Sequence, residues 1–126
     1  MLGNTDVCAT IAVKDMTVAA KFYEEILGLQ KIKENPAGNF YQSGKGGVFV
    51  YPSPAVAGTN QATYAAWSVD DAAAVVTDLK AKGVAFEHYD DIPLLTRDGD
   101  LHIVGPTKSA WFKDPDGNIL NIVEGM

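Results

Sequence analysis

One pattern of residues occurs twice in this chain, about 56 positions apart. Val13-Lys14-Asp15 closes an apolar run, "VCATIAV" (7–13), and opens "DMTVAAKFYEEILG" (15–28). Val69-Asp70-Asp71 closes "TYAAWSV" (63–69) and opens "DDAAAVVTDLKAKG" (70–83). The distance from the Asp to the glycine that stops each pattern differs by one residue. Later in each copy, "GGVFVY" (46–51) corresponds to "DGNILN" (116–121). A repeat of this length holds one supersecondary unit that buries its sheet face poorly alone, so the copies are expected to complete one another.

Each copy reads β-α-β-β-β. In the first helix Met16, Ala19, Phe22, Tyr23, Ile26 and Leu27 form an apolar stripe, with Lys21, Glu24 and Glu25 between them. Asp15 is the expected N-cap and Gly28 the expected stop. "LQKIKEN", "FYQS" and "GVFVYP" are three strands set off by glycine and proline. "PSPAVAGTNQ" (52–61) has the composition of a linker. In the second copy Ala72, Val75, Val76 and Leu79 give the buried stripe, and Asp78 and Lys82 form an i,i+4 pair. "VAFEHY", "SAWFK" and "NILNIVE" follow as strands. Residues 90–108 have weak periodicity and are expected to form a lid or binding loop, with His102 inside it. One domain spans 1–126, built from modules at about 5–55 and 62–126.

The last hairpin is the best-marked turn. In "WFKDPDGNILNIVEG" (111–125), Pro115 fixes φ, Asp114 and Asp116 can accept from nearby backbone N–H groups, and Gly117 tolerates positive φ. Parity along the final strand puts Leu120 and Ile122 on one face and Ile119, Asn121 and Val123 on the other. Asn121 is therefore a polar group among apolar neighbours, which either meets water or lines a cavity. The same parity puts Trp111 on the face of Ser109 and Lys113, and Trp67 on the helix-facing side of its strand.

Charge and composition exclude several classes. Apolar residues make up 47% of the chain, which argues against disorder. The net charge is −6, with no cluster of Lys and Arg, so nucleic acid is not an expected partner. No apolar run approaches the ~20 residues of a membrane span, and no secretory leader is visible. The single cysteine, Cys8, cannot form an internal disulfide, which fits a cytoplasmic protein.

The paired βαβββ pattern, the opening "AVKDMTVAAKFYEEILGL" and the closing "FKDPDGNILNIVE" resemble the vicinal oxygen chelate superfamily, the glyoxalase/bleomycin resistance protein/dioxygenase-like domains. The resemblance implies an α+β fold of two βαβββ modules, whose curved mixed sheet of about eight strands surrounds a cleft. Metal-using members carry His or Gln, Glu, His and Glu on the concave face. The corresponding positions here are Cys8, seven residues before Asp15, and Tyr64, seven before Asp71. They continue with Asn121, seven after Asp114, and Tyr51, which a one-residue slip would replace by Val50. One thiol, two phenols and a neutral amide make a poor divalent-metal set. No metal and no cofactor are expected.

What remains is an aromatic, lightly polar lining of the kind that suits small molecules. Cys8, Tyr51, Tyr64, Trp111, Asn121 and His102 are the candidate ligand-binding residues. Three of these have plainer readings: Cys8 as a small buried side chain, His102, like His88, as a surface or rim residue, and Trp111 as packing. The function expected is metal-free binding, by a cytoplasmic homodimer, of an apolar or aromatic small molecule that can also be cationic. The alternative is a lyase-, isomerase- or dioxygenase-like enzyme of the same superfamily with a non-standard site, and whether any reaction is catalysed is left open.

Overall fold

Asp15 starts the first helix as its sequence context requires: the carboxylate accepts from the backbone N–H groups of Thr17 and Val18, at 2.8 and 3.2 Å. The helix α1 (Met16–Ala20) then widens into a π-helical stretch over Lys21–Ile26. Leu27 N–H consequently bonds the carbonyl of Phe22, five residues back. Phe22 and Tyr23 are buried, at 6% and 0% exposure, as the apolar stripe predicts. The sequence signalled one regular helix, because i,i+3/i+4 spacing does not register a widened turn.

The computed structural model describes residues 1–126 and divides into two compact units, Met1–Tyr64 with Asp114–Asn118, and Ala65–Lys113 with Ile119–Met126. The first unit holds β1 (Cys8–Val13), α1, β2 (Gln30–Asn35), β3 (Gly38–Ser43) and β4 (Gly46–Pro52), in the βαβββ order. Its sheet runs β1-β4-β3-β2, with β1 parallel to β4 and the other pairs antiparallel. Ile11, Val13, Val48, Val50 and Tyr41 form the buried face, and Tyr41 stacks on Tyr23 of the helix at 6.4 Å.

The turn 114–118 belongs to this unit, with Asp114 and Asn118 buried and Pro115 exposed. The buried Asp114 carboxylate accepts from Tyr23 Oη (2.7 Å), Asn118 Nδ2 (2.8 Å), Asn118 N–H (2.9 Å) and Asp116 N–H (2.9 Å). Asn118 Nδ2 also donates to Ala12 O, and its Oδ1 accepts from Gly58 N–H. Gly117 takes the positive φ the turn requires, 86°. Residues 52–61 are thus tied in rather than a free linker, and Ala57 is 4% exposed. Linker composition did not reveal this, because the tie is made through backbone N–H groups.

The second unit carries most of β5 (Thr63–Val69), α2 (Ala72–Ala81), β6 (Phe86–Glu87), β7 (Thr96–Asp98), β8 (Leu101–Val104), β9 (Thr107–Lys113) and β10 (Ile119–Glu124). Sheet order is β5-β10-β9-β8-β7, and β6 pairs the far half of β9. Asp71 caps α2, and Glu124 Oε1 accepts from Ala72 N–H at 2.9 Å. Ala72, Val76 and Leu79 are buried on the helix, as the stripe predicts. Two helices and ten strands in two mixed sheets make the fold α+β. No helix is long and apolar enough to cross a membrane.

The stretch 90–108 differs from expectation. Residues 96–104 are a hairpin turning at Gly99 and Asp100, with Thr96, Arg97 and Asp98 opposite Ile103, His102 and Leu101. Its strands are three and four residues long, too short to show a period of two.

Candidate functional site

Register in the second unit fixes which side chains share a face. Asn121 lies directly opposite Trp111 on the antiparallel β9–β10 pair, and Val123 lies opposite Ser109. Ser109 in turn is opposite His102 on β8, and His102 opposite Arg97 on β7. Glu87 on β6 is opposite Trp111. One face therefore carries Asn121, Trp111, Ser109, His102, Arg97 and Glu87. Ala110, Phe112, Leu120 and Ile122 take the other, and all four are buried. The Glu87–Lys113 pair at 3.1 Å agrees with this parity.

On the first of these faces three rings meet pairwise. His102 and Trp111 stand edge to face at 4.9 Å and 83°. Tyr89 contacts Trp111 at 5.4 Å and His102 at 5.9 Å. Asn121 is 5% exposed, and its Nδ2 donates to Ala110 O at 3.3 Å. Trp111 is half-buried. Tyr89 brings its ring in because its backbone N–H donates to His102 Nε2 at 2.9 Å. Burial first, and the nearby Glu87 carboxylate second, push the Tyr89 phenol above its ordinary pKa.

His102 is not a rim residue. It is 1% exposed, in β8, and its Nδ1 is buried with no hydrogen-bond partner in the protein. A buried, unpaired polar group of this kind costs about 1–3 kcal/mol. His88 does lie at the surface, where its Nε2 meets Asp100 Oδ1 at 2.8 Å. Arg97 is engaged elsewhere: its Nε and Nη2 bond the two carboxylate oxygens of Asp90, and its Nη1 bonds Gly99 O. That hydrogen-bonded pairing lowers the Asp90 pKa and raises that of Arg97.

Cys8, Tyr51 and Tyr64 belong to the first unit. Cys8 is exposed rather than buried. It opens β1 opposite Gly47, which offers no side chain to cover it. Gly47 is itself required, since a Cβ there would lie 2.5 Å from the Phe40 ring. Tyr51 is in register with Ala12, four residues along from the Cys8–Gly47 row. At ~3.3 Å per residue that is roughly 13 Å, so the sheet shares a face between Cys8 and Tyr51 without bringing them together. Tyr51 instead stacks on Phe49 at 6.0 Å and 14°. Tyr64 is half-buried in β5. The structure thus unites Trp111, Asn121 and His102 and adds Tyr89. Tyr89 had no sequence signal, because its place depends on a backbone N–H.

A metal fits these residues badly. No three His, Cys, Asp or Glu side chains come together in a metal-holding group. The four positions that the resemblance assigns offer one thiol, two phenols and an amide.

The glyoxalase/bleomycin resistance protein/dioxygenase superfamily model matches residues 6–122. The chain belongs to that superfamily. The superfamily fold recurs in a glyoxalase family protein from Enterococcus faecalis, at TM-score 0.75 and 20% identity over 98% of this chain and 100% of that one. It recurs in the fosfomycin resistance protein FosX from Listeria monocytogenes, in complex with Mn(II) and sulfate (TM-score 0.71, 18% identity, 98% and 91% covered). A third neighbour is TnmS3, an antibiotic-binding protein from Streptomyces sp. CB03234 (TM-score 0.65, 20% identity, 96% and 97% covered). At these identities the superfamily likeness is one of fold. Comparison with curated protein sequences returns no match.

Proposed function

We propose that this superfamily member is a metal-free small-molecule binding protein whose ligand is largely aromatic or apolar. The observation that carries the reading is the three-ring cluster of Trp111, Tyr89 and His102, one strand from the buried amide of Asn121. Flat rings supply rigid apolar contact, and a few polar groups orient what binds. The antibiotic-binding neighbour of the same fold is consistent with it. A cationic ligand is compatible with the net charge of −6, which also suits the indole face. In the first unit, taken by itself, Cys8, Tyr51 and Tyr64 are the proposed ligand contacts.

The protein is assigned to the cytoplasm, in keeping with its exposed free thiol. A homodimer is assigned because β2 is an unpaired edge of its sheet with every residue exposed, Ile32 at 51%.

The alternative, an enzyme with a non-standard site, would draw its acid or base from His102. A thermal-shift screen against small aromatic compounds and divalent metals, with elemental analysis of the purified protein, separates the readings. Aromatic compounds should raise Tm and metals should not. About one zinc, iron, nickel or manganese per chain, lost on Asn121 or Cys8 substitution, would overturn the metal-free assignment.

A further inference from the structure

Two other places carry less than the ring cluster. A cavity of about 330 Å³ between α1 and the β2–β3 turn is lined by Met16, Ala20, Glu34, Asn39 and Pro52, and no buried group in it lacks a partner. The exposed Cys8 has no base or cation among its register neighbours. His102 differs from both, because its protonation pattern is fixed by its neighbours.

Tyr89 N–H donates to Nε2, so Nε2 presents its lone pair. The neutral imidazole must then carry its proton on Nδ1. That N–H is a buried donor, on a ring 1% exposed, and no protein atom accepts from it. Native proteins pair nearly all buried donors, and the exceptions call for a reason. The reason here is set by the surroundings. The rings of Trp111 and Tyr89 pack against the imidazole and accept no conventional hydrogen bond. The two cations on this face are both engaged, Arg97 by Asp90 and Gly99 and Lys113 by Glu87 at 3.1 Å.

We propose that the Nδ1–H of His102 is the specificity-determining donor of this face, and that it selects a ligand bearing a neutral acceptor, a carbonyl oxygen or ring nitrogen, on an aromatic body. A carboxylate is disfavoured, because one neutral donor does not compensate for burying a full charge where no free cation stands. Entry requires the Tyr89 ring to swing aside while its backbone N–H stays on His102 Nε2. Tyr89 sits in the segment joining β6 to β7, where Leu94 holds φ at 76° and Ile92 and Leu94 are exposed at 44% and 86%. A left-handed leucine is a strained conformation that a rearrangement of this segment would relieve. The inference rests on the binding reading above and narrows its ligand class.

The test compares 2-acetylnaphthalene with 2-isopropenylnaphthalene, which share a shape and differ in C=O against C=CH2. Binding is followed by tryptophan fluorescence, and the imidazole by ¹⁵N NMR of the full chain. The acetyl compound should bind at least tenfold more tightly and move the Nδ1–H resonance of His102, while the alkene leaves it in place. His102→Phe should bring the two affinities together. Because that variant also removes the acceptor for Tyr89 N–H, the wild-type NMR comparison stands independently of it. A free protein whose His102 proton resides on Nε2 would overturn the inference at its premise. Equal affinities with a Trp111-dependent signal would overturn the acceptor selection while the binding reading stands. No fluorescence response to either compound up to its solubility limit would overturn both.

Discussion

Tyr23 donates its phenol proton to the buried carboxylate of Asp114 at 2.7 Å, across 91 residues of sequence. The bond explains why the last hairpin turn is so heavily specified. Asp114 and Asn118 are groups of the first unit's interior, held by Tyr23, Ala12 and Gly58. A hydrogen bond to a charged group contributes about 1.5–3 kcal/mol. Tyr23→Phe is therefore expected to destabilise by about 2 kcal/mol, lowering Tm by roughly 5–10 °C. Asp114→Ala strands four donors at once and should cost about 3–5 kcal/mol. Chemical denaturation of both variants measures this. A Tyr23→Phe variant as stable as the parent would remove the turn from its structural role.

Stability should fall in alkali. Burial first, then the charge and hydrogen bond of Asp114, push the Tyr23 phenol well above its ordinary value. Tyr41 is pushed up to about 12, chiefly by burial, with the Asn39 hydrogen bond opposing and Glu24 adding. Both folded-state values exceed the unfolded value near ~10. The unfolded chain thus loses these protons first as pH rises. The contribution is fully present below about pH 10 and is lost above it, through about 12 for Tyr41 and beyond that for Tyr23. Denaturation midpoints followed upward from about pH 10 should decline less steeply in Tyr41→Phe than in the parent.

Hydrogen exchange should divide the stretch 90–108 into two parts. Amides of Leu101–Val104 lie between β7 and β9, around the buried His102. Asp91–Leu94 are exposed and outside any strand. Exchange in the first group should be slower by roughly a hundredfold or more, as expected of paired against unpaired backbone. Uniformly fast exchange across 90–108 would restore a lid over the whole segment.

Trp111 should report binding and Trp67 should not. Trp111 joins the ring cluster, with Asn121 opposite it on the next strand. Parity along β5 puts Trp67 on the face away from Ala66 and Ser68, which are exposed. For a compound that raises Tm in the screen, Trp67→Phe should keep the fluorescence change and Trp111→Phe abolish it. Trp111→Ala should weaken affinity by more than about tenfold, a loss of ~1.4 kcal/mol. An affinity untouched by Trp111→Ala would mean that the binding face is elsewhere.

The sequence by itself determined the βαβββ repeat, the α+β class, both N-caps, the final turn and the shared face of Trp111 and Asn121. These follow from spacing along the chain: a helical stripe, alternation along a strand, an Asp before a helix, a proline and glycine in a turn. Tertiary structure alone decided what no local spacing encodes. The π-helical stretch over Lys21–Ile26 is one such feature, since a widened turn leaves the apolar stripe unchanged. The exposure of Cys8 depends on the glycine that happens to pair with it. In sequence His102 reads as a loop residue, because its strand is four residues long and its neighbours Tyr89 and Trp111 are 13 and 9 positions away. Only the register of β8 on β9, with one backbone N–H from Tyr89, buries that imidazole and leaves its second nitrogen without a partner.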